Sequence, residues 1–407
     1  MSYQTHALPS GLRLIFRPQD GPNVYLGFGV RAGTRDEGRL EYGLAHFLEH
    51  MLFKGTKLRS STQIIERIEG VGGELNAYTS KEETILYCVS PKEYVHRALH
   101  LMADIVRNSQ FPEEELSKEQ AVVIDEIHSY HDSPSELIFD EFENVLFRGH
   151  ALGHNILGTE VSVARQTRAS CRRFLEKYYR PENMVIFCQG TIDVDVLIGA
   201  CNTYFPEQAQ ANIATPLLPW QSTIKPKQIV RHRGTCQGHV IMGGYACHMH
   251  DERRLEMSVL SNILGGAGMN SRLNLALRER NGIAYHVECS YAAYTDTGLL
   301  AIYFGCAKKQ VDRAVELVEE ELRRLVEEPI EEGELACIKR QIKGQLLVGS
   351  DQREQTFLSM GKTYLHYNYV EDLETIFERI DAITSRSLHE LSCEYLIPEK
   401  MFRLSYL

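Results

Sequence analysis

The chain has 407 residues, 43% of them hydrophobic, which suits two domains with ordinary cores better than one. Its 55 acidic against 44 basic side chains leave a net charge of −11, which argues against binding nucleic acid or an anionic membrane surface. No run of 18 apolar residues and no basic segment leading into an apolar one is present, so neither a membrane span nor a signal peptide is expected, and the expected setting is cytoplasmic. Ten cysteines without C-x-x-C spacing are expected to be free thiols, as in a reducing compartment.

In chain order, Arg13–Phe16 and Val24–Val30 are expected strands; in the second, Val24, Leu26, Phe28 and Val30 keep a period of two. Between Tyr42 and Phe53, apolar residues recur at three- and four-residue spacing, which predicts a helix. Ser60 and Gln63 form a capping box opening a second helix that closes at Gly70. A strand over Thr84–Val89, helices over Pro91–Asn108 and Glu113–His128, and a strand over Asn183–Gln189 follow. Phe205–Lys227, rich in Pro, Gln and Ala with Trp220 as its one large anchor, is expected to link two domains, 1–208 and 227–407, with the linker proper at 209–226. The order then returns: a strand at Gly238–Tyr245, a helix at Asp251–Leu264, a strand at Leu299–Gly305, and an acidic helix from Lys309 to Glu327.

That return is an internal duplication. The segment from Asp36 to Glu41 recurs from Asp251 to Glu256, Tyr78 and Thr79 recur as Tyr294 and Thr295, Tyr87 recurs as Tyr303, and Pro112 as Pro329, all at offsets of 215 to 217. The expected fold is α+β, with two homologous domains, each a largely antiparallel sheet packed with helices.

The stretch His46-Phe47-Leu48-Glu49-His50 carries the chemistry. Its H-x-x-E-H spacing puts two imidazoles at i and i+4 of one helix, about 5–6 Å apart and able to share one tetrahedral ion. Glu49, three residues after His46 on the same face, reaches water beside that ion without having to ligate it, which is the arrangement of a hydrolase. The alternative is a polar stripe of hydrogen-bonded core histidines. However, Leu44, Phe47, Leu48, Met51 and Leu52 make the helix apolar on most sides, where an uncompensated cluster of this kind is costly. Catalytic zinc takes three protein ligands, and the third is expected at Glu126, with Asp125 as its rival and His128 and His131 beyond the apolar run. Across the duplication His46 maps near Ser261, Glu49 near Leu264 and His50 near Gly265, so the second copy cannot hold the same ion. Cys247, His248 and His250 form a separate soft-metal candidate.

The run from Gly43 to Thr56 resembles the metal helix of the pitrilysin or insulinase family of peptidases, M16, in the short single-unit form similar to the subunits of the mitochondrial processing peptidase. The resemblance extends from Leu8 to the last helix. It implies Zn2+ as cofactor on His46, His50 and Glu126, because the family's third ligand is a Glu some 75 residues beyond the second His, and Glu126 follows His50 by 76. It implies Glu49 as the general base, passing a proton from water to the leaving nitrogen. It implies Glu119, seven positions before Glu126, as a carboxylate that orients a ligand. Gly73–Thr79, with Asn76 and Ala77, resembles the edge strand on which a peptide substrate is laid, and Phe53 is a candidate for lining a side-chain pocket. In the second half, Leu277–Tyr285 resembles the family's Arg/Tyr pair, implying Arg278 on a substrate carbonyl and Tyr285 on the oxyanion; Asn270 departs from the small residue common there.

The implied activity is that of a zinc-dependent endopeptidase hydrolysing peptides or unfolded segments held in a chamber by strand addition. The alternative is a non-catalytic peptide-binding or scaffold subunit of such a complex, although such members usually lack the zinc residues. This chain equals one half of the long family members in length yet holds both motifs. The expected assembly is therefore a homodimer with composite sites, zinc ligands from one subunit and the Arg/Tyr pair from the other.

Overall fold

Two sheets with the same internal order account for every strand in the computed structural model, which describes residues 3–206, 208, 218–220 and 224–407. The first contains β1 (Gln4–Ala7), β2 (Arg13–Pro18), β3 (Asn23–Val30), β4 (Glu74–Thr79), β5 (Thr84–Pro91) and β6 (Met184–Gly190), in the order β1-β2-β6-β3-β5-β4. The second contains β7 (Gln228–Arg231), β8 (Gly238–Ala246), β9 (Ala284–Ala293), β10 (Gly298–Cys306) and β11 (Phe402–Tyr406), in the order β7-β11-β8-β10-β9. Without β1 the two orders correspond strand for strand. Each sheet is antiparallel except for one pair in the same place, β2 with β6 and β7 with β11. The duplication read in the sequence is thus repeated in the hydrogen bonds, and the fold is α+β as expected.

The chain forms two compact units. The first comprises Met1–His128, His154–Ala214 and Val348–Leu373; the second comprises Ser129–Gly153, Thr215–Leu347 and Glu374–Leu407. Compactness therefore groups non-contiguous segments, whereas the extents 1–208 and 227–407 divide the chain by repeat, and we keep those extents as a proposal about the repeats. Most of the expected linker, 209–226, lies outside the described residues.

In the first unit β6 is buried along its whole length, because both faces of the sheet are covered; hence its nearly unbroken apolar run. On one face Phe187 packs with Ile15, Ile85 and Val185 against Phe357, Met360 and Tyr364 of the helix Arg353–Tyr367. The ring lies where Gly27 and Gly361 lack side chains, and a Cβ on Gly361 would come within 2.5 Å of it. That helix buries residues 357, 360, 361, 364 and 365, a helical stripe. Its pattern is faint in the sequence because two of its members are Gly361 and Tyr364. The described chain begins its helices with α1 (Leu44–Leu52), which follows β3, and α2 (Ser61–Glu69), opened by the expected Ser60–Gln63 capping box. Next come α3 (Val95–Asn108), which packs on β3 and β5, and α4 (Glu113–His131).

In the second unit, Ile241, Leu299, Tyr303, Leu404 and Tyr406 pack on the helix Pro134–Leu146. The other sheet face buries Val240, Met242, Leu300, Ile302 and Phe304 with the helices Arg254–Gly265 and Val311–Glu327. Arg254–Gly265 follows β8 as α1 follows β3. Ser261, Leu264 and Gly265 fall on it, so the counterpart of α1 presents no ligand at those positions. All ten cysteines are free, and among the described residues no helix is long and apolar enough to cross a membrane.

Candidate metal centre and active site

Helix α1 is an apolar helix with a polar inset. Every residue from Leu44 to Leu52 is buried except His50, which is half-buried. Its start depends on Gly43, whose φ of 87° lies in the left-handed region and whose missing Cβ would stand 2.5 Å from the Leu157 carbonyl oxygen. The first turn takes its acceptor from elsewhere in the sequence: the Glu37 carboxylate accepts from Gly43 N at 2.8 Å and Ala45 N at 2.7 Å. Burial pushes the Glu37 carboxyl well above the usual carboxylate range, opposed by these two amides. Its other neighbour is His154 Nε2 at 3.1 Å, and His154 in turn stacks on Tyr42 at 3.9 Å.

On this helix the rings of His46 and His50 lie 4.7 Å apart, and α4 brings Glu126 to both. Glu126 Oε2 is 3.7 Å from His46 Nε2 and 3.6 Å from His50 Nε2. These separations are too long for good hydrogen bonds. They are close to the spacing, roughly 3.4 Å, of donors at ~2.0–2.2 Å from one tetrahedral ion. Among the described residues this is the one group of three His, Cys, Asp or Glu side chains with ligand atoms all within 4.8 Å of one another. Asp125 is not part of it, nor are Cys247, His248 and His250. His128 instead pairs with Glu160 at the surface.

The donor chemistry fits a divalent ion. Burial, helped by the neighbouring His50, lowers the His46 pKa to about 3, so its imidazole is neutral and offers a lone pair. The second nitrogen of His50, Nδ1, is 3.1 Å from Glu119 Oε2, the carboxylate–histidine arrangement that orients metal ligands. Nδ1 of His46 is buried with no hydrogen-bond partner, so of the two imidazoles only His50 is oriented in this way. The Glu126 side chain is 44% exposed, which leaves the cluster open to solvent on that side.

Glu49 lies on the same helix, nearly buried, and Thr79 Oγ1 donates to its Oε2 at 2.6 Å. Burial raises its pKa and the Thr79 hydrogen bond opposes that rise. Thr79 ends β4, which is an edge strand: Asn76 and Ala77 pair with Tyr87 and Leu86 of β5 on one side only. Glu49 and the free strand edge are therefore joined through one hydroxyl. The contact between Thr79 and Glu49 has no spacing signal in the sequence, since 30 residues separate them. Phe53 is the half-buried C-cap of α1 and does not join the cluster.

Arg278 and Tyr285 belong to the second unit. Arg278 sits on a π-helical turn, Asn274–Glu279, and Tyr285 on β9, with the guanidinium 5.0 Å from the centre of the phenol ring. Tyr285 is 82% exposed, so its ring stands free of its unit's core. Arg278 beside it is half-buried and lies 3.6 Å from the Glu279 carboxylate.

Residues 15–160 match the family described as insulinase, peptidase family M16, and residues 166–342 match the M16 inactive domain. The chain belongs to peptidase family M16. It is 33% identical over 386 residues to the uncharacterized zinc protease YmxG of Bacillus subtilis, spanning 94% of this chain and 93% of that one. It is 31% identical over 395 residues to an uncharacterized zinc protease of Mycobacterium leprae, spanning 96% and 88%. Among solved structures, a protease from Helicobacter pylori superposes with a TM-score of 0.90 at 20% identity, covering 100% of this chain and 99% of that one. The M16 inactive domain from Pseudomonas fluorescens gives 0.89 at 20%, covering 100% and 98%. At that identity the likeness concerns the fold. In this M16 chain, His46, Glu49, His50, Glu119 and Glu126 all fall in the first matched segment, and Arg278 and Tyr285 in the second.

Proposed function

We propose that this M16 chain is a zinc-dependent endopeptidase acting on extended peptides, with His46, His50 and Glu126 as the ligands. The observation that carries the reading is the convergence of two imidazoles and a carboxylate within 4.8 Å, beside a buried Glu49 on the same helix. Zinc bound by these side chains supplies Lewis acidity, polarising a carbonyl and bringing the pKa of a water to ~7. Glu49, with Oε2 engaged by Thr79, uses Oε1 to take the proton from the attacking water and delivers it to the leaving amide nitrogen. The exposed edge of β4 pairs with the substrate main chain at Asn76 and Ala77, which tolerates many sequences. Phe53 contributes to a side-chain pocket, Arg278 holds a substrate carbonyl, and Tyr285 donates to the developing oxyanion, a contribution of roughly 3–4 kcal/mol for a well-placed donor. Two copies assemble as a homodimer, each active site drawing the Arg/Tyr pair from the other subunit.

Metal content and peptide cleavage, measured together, test the reading. His46→Ala and Glu126→Gln are expected to lose zinc and cleavage alike. Glu49→Gln is expected to keep zinc and peptide binding while kcat falls on the order of 100- to 10,000-fold. Undiminished cleavage by the Glu49 variant removes it from the proton-transfer role, and wild-type protein that cleaves nothing while binding peptides points to the scaffold alternative.

A further inference from the structure

We propose that Lys54 is a positioning residue of the metal centre, acting on His50 through Glu119; the inference rests on the zinc reading above. Lys54 Nζ lies 2.6 Å from Glu119 Oε1, and Glu119 Oε2 lies 3.1 Å from His50 Nδ1. One carboxylate thus gives one oxygen to each neighbour. Glu119 is only 5% exposed, and a carboxylate so placed needs a compensating charge. Lys54 is the ammonium in contact with it.

The consequence falls on the imidazole. With Glu119 held as an acceptor by the ammonium on its far side, His50 keeps its proton on Nδ1. Nε2, the atom 3.6 Å from Glu126, is left as a lone pair aimed at the site. His46 has no such support, because its Nδ1 is unpartnered. Of the two imidazoles, only His50 is therefore oriented by hydrogen bonding, through the chain from Lys54 by way of Glu119.

The same contact joins two helices. Lys54 follows the C-cap of α1, and its backbone N–H donates to Met51 O at 3.2 Å, which anchors the base of its side chain at the helix end. Glu119 and Glu126 are seven residues apart, two turns along one stripe of α4. By gripping Glu119, Lys54 sets how that stripe faces α1, and hence where Glu126 stands, before an ion arrives. Preorganisation of this kind raises affinity by removing an ordering cost from the binding step.

The test is zinc affinity of the purified full chain, measured by competition with a chromophoric chelator and accompanied by an unfolding curve for each variant. Lys54→Met and Lys54→Gln are expected to weaken zinc binding 10- to 100-fold while still folding, and Lys54→Arg to stay within a few-fold of wild type. Adding Lys54→Met to Glu119→Gln should weaken binding by less than about two-fold more, because the effect runs through the carboxylate. A purely structural role of Lys54 would give neither the arginine rescue nor this non-additivity. Wild-type affinity in both neutral variants, or full multiplication of the two effects, overturns the proposal and leaves the zinc reading intact. Zinc binding that is unaffected by His46→Ala overturns both.

Discussion

Burial alone would push the Glu83 carboxyl up, but a hydrogen bond from His366 at 3.0 Å and the Lys362 ammonium at 2.9 Å bring its pKa down to about 2. The folded value lies below the ordinary 4.5. The ion pair's contribution is therefore complete above about pH 4.5 and is lost as pH falls toward about 2, at an upper bound of ~3 kcal/mol. Glu83→Gln is expected to lower the denaturant midpoint at pH 7 and to flatten the acid side of the stability curve; an unchanged slope between pH 4.5 and 2 would contradict this. At the candidate site, the residue scale separates what was legible from what was not. His46, Glu49 and His50 are neighbours along one helix, so their relation follows from helical geometry. Thr79 and Lys54 reach their partners Glu49 and Glu119 across gaps of 30 and 65 residues, and neither carries a spacing signal.

Helix α1 is placed by its start. Gly43 takes a left-handed conformation against the Leu157 carbonyl, and Glu37 supplies the acceptor for the first-turn amides of Gly43 and Ala45. Gly43→Ala adds about 1–2 kcal/mol for the left-handed residue and a steric clash besides, so the denaturant midpoint should fall clearly. Zinc affinity should fall with it, because the clash displaces the helix that holds both imidazoles. A variant with wild-type midpoint and affinity would show that the entry to α1 has slack. Amphipathic elements such as α3 and β3 could be read from their periodicity. The helices Pro134–Leu146 and Arg353–Tyr367 could not, since each is covered by a partner sheet remote in sequence, and the latter buries a glycine and a tyrosine in its stripe.

The whole molecule repeats one sheet topology twice, but among the described residues the side chains that could hold a metal ion come together in only one copy. The homodimer proposed here makes a specific demand on mixtures. His46→Ala and Arg278→Ala chains, each inactive alone, should regain roughly a quarter of wild-type activity after subunit exchange, because half the dimers are mixed and each carries one whole site. Mixed dimers demonstrated by mass and yet inactive would show that zinc ligands and the Arg/Tyr pair do not combine across subunits.

Local order along the chain was enough to establish the α+β class, the duplication, the H-x-x-E-H helix and the absence of its His and Glu side chains from the second copy, because each depends on residues a few positions apart or on one repeated offset. Convergence needed the tertiary structure. The meeting of Glu126 with the two imidazoles, the hydrogen bond that Thr79 donates to Glu49 and the one that Glu119 accepts at His50 all depend on how α4 and β4 pack against α1, and packing is a property of distances in space that spacing along a chain does not encode.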